Sequence, residues 1–100
     1  MFFLVSPRWE NYKIHKFAVE TPNPASLICQ TRSLPEPQFH WERQGVNLTS
    51  GGNIQITSSG NISTLRIAQT SEADLMSYFC VGQNIAGKGT FELMLMKPGV

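Results

Sequence analysis

"SEADLMSYFCVGQNIAG", residues 71–87, is the stretch that decides how the rest of the chain is read. Asp74 stands six places before Cys80, Tyr78 stands two before it, and Asn84 and Gly87 follow closely. Within "SYFCVGQ" the side chains alternate as on a strand, so Tyr78 and Cys80 share one side while Phe79 and Val81 share the other. The preceding "AQTSEAD" is turn-like, and a short acceptor such as Asp74 suits a turn because its carboxylate can hold nearby backbone N–H groups.

The same period of two runs outward in both directions. "SLICQT" sets Leu27, Cys29 and Thr31 against Ile28 and Gln30, and "FHWERQ" sets Phe39 and Trp41 against His40 and Glu42. Pro22, Pro24, Pro35 and Pro37 punctuate the chain around the first of these runs, and Gly45 with Gly51–Gly52 bracket a short strand at Val46 to Leu48. "IQIT", "ISTLRI" and "TFELMLM" are further strand signals, and "FFLVSPRWENYKIHKFAVE" has room for one or two more. Sustained helical periodicity is absent. Short strands with turn signals at close spacing predict an all-β sandwich or barrel.

One hundred residues make one ordinary domain. A chain 41% hydrophobic and 15% charged can bury a core, and a net charge of +1 carries no surplus of phosphate-neutralising groups, which argues against nucleic acid. No run reaches the roughly 20 apolar residues of a membrane-spanning helix, so direct membrane insertion is not expected. "MFFLV" is too short for a signal-peptide core and no small-residue cleavage site follows. Met1 therefore reads as the start of an excised fragment whose parent extends on both sides. Cys29 and Cys80 lack the local C-x-x-C pairing that zinc favours, and nothing places His15 or His40 beside either thiol for nucleophilic chemistry. A disulfide is the better reading, and with it an oxidising compartment. Closing so long a loop is worth roughly 4 kcal/mol in the chain-entropy account.

Cys29, "PEPQFHW" ending in Trp41, "LRI" at 65 to 67, Asp74-x-x-x-Tyr78-x-Cys80, and then Asn84 and Gly87 together resemble an I-set immunoglobulin domain. The likeness covers residues from about 25 to 96. It implies a two-sheet antiparallel β-sandwich with Greek-key connections, an inter-sheet Cys29–Cys80 bridge packed on Trp41, and a core including Leu65. Tyr78 would then form the tyrosine corner between strands E and F, with Asp74 in the same turn. One domain over residues 1–97 follows, with 98–100 opening a linker to a neighbour. Met76 replaces the Gly or Ala usual in the family, and Thr70 an aliphatic residue. The turn is expected to avoid positive φ at Met76, whose side chain would lie over the bottom of the sandwich. The basic residue that often partners the aspartate from strand D is missing from "GGNIQIT", so Asp74 is expected to rely on backbone bonds.

The resemblance further implies an extracellular protein-binding module of a cell-surface adhesion or recognition receptor, similar to domains of neural adhesion, nephrin-like and axon-guidance molecules. Its partner would be another cell-surface protein, bound homophilically or heterophilically. The alternative is a structural spacer in an elongated receptor or muscle filament protein. No cofactor and no catalytic role are expected, because no acid–base pair, nucleophile elbow or phosphate loop is discernible. Asn47-Leu-Thr and Asn61-Ile-Ser are glycosylation acceptors by type, with Asn61 the favoured one, on a polar turn away from strands C, F and G. Parity places His40, Phe79, Val81 and Met94 on one outer patch of the sheet, the expected protein-binding face.

Overall fold

The computed structural model describes residues 4–9 and 15–99, so the ends of the expected domain and linker lie partly outside the described residues. Alternating sequence becomes alternating burial. Along β3 (Ala25–Leu34), Ala25, Leu27, Cys29, Thr31 and Ser33 are buried while the residues between them face water. The other strands among the described residues are β1 (Val5–Trp9), β2 (His15–Ala18), β4 (Gln38–Arg43), β5 (Val46–Leu48), β6 (Ile54–Ser59), β7 (Ile62–Ile67), β8 (Ser77–Asn84) and β9 (Gly87–Met96). The N-terminal segment thus contributes two strands, and the only helical element described is a single 3-10 turn at Glu72–Asp74.

Two sheets face each other, ordered β1-β3-β7-β6 and β2-β9-β8-β4-β5. All strand pairs are antiparallel except β2 with β9, which runs parallel. That exception to the antiparallel expectation arises because the chain leaves β1 in the first sheet and joins the free edge of β9 in the second. Between the sheets, Leu27, Cys29, Trp41, Leu65, Ile67, Tyr78, Cys80 and Leu93 are completely buried. Each large apolar side chain withdrawn from water contributes about 1.5–3 kcal/mol, the main favourable force here.

Two contacts tie one sheet to the other at this core, and a third extends them within the first sheet. Cys29 on β3 is bonded to Cys80 on β8, with Cα atoms 6.4 Å apart and 51 residues between them in sequence. Trp41 on β4 donates its indole N–H to Ser63 Oγ on β7 at 2.8 Å. Ser63 Oγ in turn lies 2.8 Å from Ser58 Oγ on β6, which extends the polar chain to the edge of the first sheet. No buried side-chain nitrogen or oxygen among the described residues lacks a hydrogen-bond partner. Ser63→Ala would leave the indole N–H without an acceptor in a dry core. Urea denaturation of that variant should show a loss of about 1–3 kcal/mol, and an unchanged midpoint would mean that the indole finds another partner.

Candidate protein-binding face

β8 lies at the centre of the five-stranded sheet, and its register decides which side chains share the outer face. Directly opposed residues in an antiparallel pair project to the same side. His40, Val81 and Thr90 form one cross-strand row, and Asn47, Glu42, Phe79 and Glu92 form the next. Ser77 opposes Met94, which is paired in turn with Lys16 on β2. The inward set is the complement: Tyr78 and Cys80 on β8, Trp41 on β4, and Phe91, Leu93 and Leu95 on β9 are all buried.

The outer rows differ from a uniformly open patch. Phe79 and Met94 are half-buried, and His40 and Glu42 are joined by a 2.7 Å contact between Nε2 and Oε2. Ser77 donates its hydroxyl to Glu92 at 2.6 Å. Val81 shares their parity but is only 2% exposed, a short side chain set low between His40 and Thr90. It therefore belongs to the floor of this face and offers no contact surface of its own. Met94 also borders a shallow apolar hollow with Leu75, Met76 and Met96, which extends the patch toward the lower end of the sheet. The side chain of His15 lies outside the described residues.

The corner that holds β8 in place is built around Tyr78. Its hydroxyl donates to the Asp74 carbonyl at 2.8 Å and accepts from Arg43 Nη1 at 3.0 Å. The same Nη1 lies 3.1 Å from Asp74 Oδ1, and the guanidinium sits 5.5 Å from the centre of the Tyr78 ring. Asp74 Oδ2 accepts from the Ser71 backbone N–H at 2.8 Å. Asp74 thus has a basic partner as well as backbone bonds, contrary to the expectation from strand D. Arg43 supplies it from the end of β4, two residues beyond Trp41 and on the same inward parity. That parity was the available signal for Arg43. Met76 has no positive φ and packs with Leu75 against the core, which is how the turn accommodates a long side chain. Thr70 is buried and donates its hydroxyl to the Asn23 carbonyl at 2.6 Å, a bond no aliphatic residue could make.

Turn chemistry sets the two sequon asparagines apart. Gln44 and Gly45 have φ of 53° and 75°, the pair of positive values that a type I′ hairpin needs. That turn fixes β5 so that Leu48 opposes Trp41 and packs inward, which leaves Asn47 opposite Glu42 on the outer face. Asn47 is exposed. Asn61 follows Gly60 (φ 58°) in the β6–β7 hairpin and is half-buried. Its Oδ1 accepts from Thr31 Oγ1 at 2.9 Å and its Nδ2 donates to the Ser33 carbonyl at 3.2 Å. At the opposite end of β8, Asn84 Nδ2 donates to the Val5 and Pro35 carbonyls, while its Oδ1 accepts from the N–H groups of Ala86 and Gly87. Every hydrogen-bonding group of that amide is used, which accounts for an asparagine four places after Cys80.

Residues 11–96 match the immunoglobulin I-set domain family. The chain is an immunoglobulin I-set domain. Over 79 residues it is 33% identical to limbic system-associated membrane protein of Gallus gallus, covering 79% of this chain and 23% of that one. Over 88 residues it is 30% identical to myopalladin of Mus musculus, covering 88% of this chain and 7% of that one. The I-set domain therefore spans a quarter or less of the length of these relatives. An I-band fragment from titin superposes with a TM-score of 0.85 at 22% identity, covering 94% of this chain and 33% of that one. I-set domains of this kind occur in adhesion receptors and in muscle proteins alike, and the family is typically non-enzymatic.

Two outcomes follow from the corner and from the β6–β7 turn. Burial pushes the Tyr78 phenol above its ordinary value of 10.0, with the bond and charge of Arg43 opposing the rise only in part. The fold thus prefers the neutral phenol. That contribution is fully present below pH 10.0 and is lost as the pH climbs through the higher folded value. Tyr78→Phe should lower stability by about 1–3 kcal/mol at neutral pH, and should flatten the alkaline decline seen in the parent. Chemical denaturation on both sides of pH 10.0 checks both effects. Asn61→Ala removes the partner of two buried groups and should cost a further about 1–3 kcal/mol in the same assay, whereas Asn47→Ala should be silent.

Proposed function

We propose that this I-set domain is an extracellular protein-binding module of a multidomain cell-surface recognition receptor, and that it binds through the outer face of the β2-β9-β8-β4-β5 sheet. The observation that carries this reading is the row in which half-buried Phe79 lies between Glu42 and Glu92, with Met94 on the diagonal. An aromatic centre bordered by charge is the make-up of a protein contact, and methionine adapts its shape to a partner. The complement would be a cell-surface protein that presents an apolar side chain flanked by lysine or arginine, met either homophilically or heterophilically. The Cys29–Cys80 bridge supports an oxidising, extracellular setting. On this reading residues 98–100 open a linker to a neighbouring domain of the parent chain.

The likeness to myopalladin favours a second reading, a structural spacer that sets length within a filament or an elongated receptor. The two readings diverge at the outer face, because a spacer has no use for Phe79 there. Phe79→Ser combined with Met94→Lys changes only outward groups, so the domain should stay folded, as judged by its thermal transition. In the extracellular part of the parent receptor, this pair of changes should abolish cell-surface binding or self-association. Binding equal to that of the parent would remove the face from consideration and leave the spacer reading.

A further inference from the structure

The two sequons are not equivalent in the folded domain. Asn61 has both ends of its amide engaged, with Thr31 and the Ser33 carbonyl, and Thr31 and Ser33 are themselves only 3% and 4% exposed. The hydroxyl of its sequon, on Ser63, is completely buried beneath the Trp41 indole. Closing the sandwich therefore buries the sequon hydroxyl and ties the Asn61 amide into the fold. Asn47 is the opposite case. It is exposed at the three-residue edge strand β5, its side chain makes no hydrogen bond among the described residues, and its sequon threonine, Thr49, is exposed.

We propose that Asn47, and not Asn61, is the glycosylated residue of this domain, and that its glycan covers the β5 and β4 side of the outer face. The assignment rests on the extracellular reading above. In the transfer, a lipid-linked diphosphate oligosaccharide is the donor. The bond from Asn47 Nδ2 to the anomeric carbon of the first sugar forms as the bond from that carbon to the diphosphate oxygen breaks. The amide loses one proton, the lipid diphosphate leaves, and no group is oxidised or reduced. Because Asn47 opposes Glu42, and Glu42 opposes Phe79, the sugar stem rises in the same row as the aromatic centre. One strand spacing, roughly 5 Å, separates Asn47 from Glu42, so the glycan lies over β5 and β4 while Phe79, a second strand away on β8, stays open to a partner. Met94 lies on β9, one strand further away and off that row. A partner is thereby confined to the β8–β9 half of the face and to the hollow lined by Leu75, Met76 and Met96.

The test is to secrete the chain from animal cells behind a leader peptide and to measure its mass before and after enzymatic removal of N-glycans. Asn47→Gln and, independently, Thr49→Ala should abolish the mass shift, whereas Asn61→Gln should retain it in whatever protein is secreted. A shift that persists in both Asn47→Gln and Thr49→Ala, or no shift in the secreted parent sequence, overturns the assignment. Oxidative footprinting reads the second half of the claim. Labelling of His40 on β4 should rise at least twofold once the glycan is removed while that of Phe79 and Met94 stays constant, and equal labelling of His40 in the two forms overturns the covering role. The leader forces the domain into the secretory pathway, so failure here is distinct from failure of the extracellular reading. That reading fails if the full-length parent, expressed with its own sequence, is inaccessible to surface labelling, whatever Asn47 does in the secreted domain.

Discussion

Everything on the outer surface of this domain depends on the contact of Trp41 with the opposite sheet. The indole fills the centre of the core beside the Cys29–Cys80 bridge, and its N–H is satisfied only because Ser63 projects inward from β7. An indole dipole in an apolar interior without that acceptor would be costly, so β4 and β7 are held in one mutual register. Once Trp41 points in, its strand neighbours His40 and Glu42 must point out. Cys80, its cross-strand partner, does the same for Phe79 and Val81. A slip of one residue in either strand would exchange the core with the outer face, and the bridge and the indole bond oppose it together.

The corner at Tyr78 is a second layer of the same constraint. It lies where β8 enters the sheet, so a loose corner would let the first residues of the strand fray, and Phe79 is among them. Arg43 binds three things there at once: the Tyr78 hydroxyl, the Asp74 carboxylate and the Tyr78 ring face. A partly buried guanidinium keeps its charge because carboxylate and phenol oxygens replace the water it has lost. Arg43 also ends β4 immediately before the Gln44–Gly45 turn. The fastening of β8 and the placement of Asn47 therefore share one hairpin.

Most of the frame was legible because it follows from a period of two and from residues with a single good use. Cysteine, tryptophan and tyrosine at their spacing yield the bridge, the core and the corner, and inward Phe91, Leu93 and Leu95 were readable from alternation alone. What was not legible depended on heights and distances across strands. Parity places Val81 on the outer side, but only the neighbours opposite it decide that so short a side chain is covered. Arg43 was missed because a partner for Asp74 was sought on strand D, while the corner is reached equally well from the end of β4. Asn61 looked like a solvated turn residue because its ties to Thr31 and Ser33 cross about 30 positions of sequence, which no local pattern displays.

The division between inward and outward residues also bears on why one fold serves such different relatives. Superposition on the titin fragment at a TM-score of 0.85 with 22% identity means that the backbone path survives when most side chains have changed. The inward positions tolerate little change, since volume and the indole bond must both be kept. Outward positions carry no such burden. Glu42, Phe79, Glu92 and Met94 lie outside the buried core that the disulfide, Trp41 and Tyr78 hold together. A half-buried phenylalanine held between two carboxylates on an outer strand is thus not required by the fold. Surface of this kind costs solubility and, in a tandem array, risks unwanted association. Under the proposed function, a partner that covers Phe79 offsets that cost.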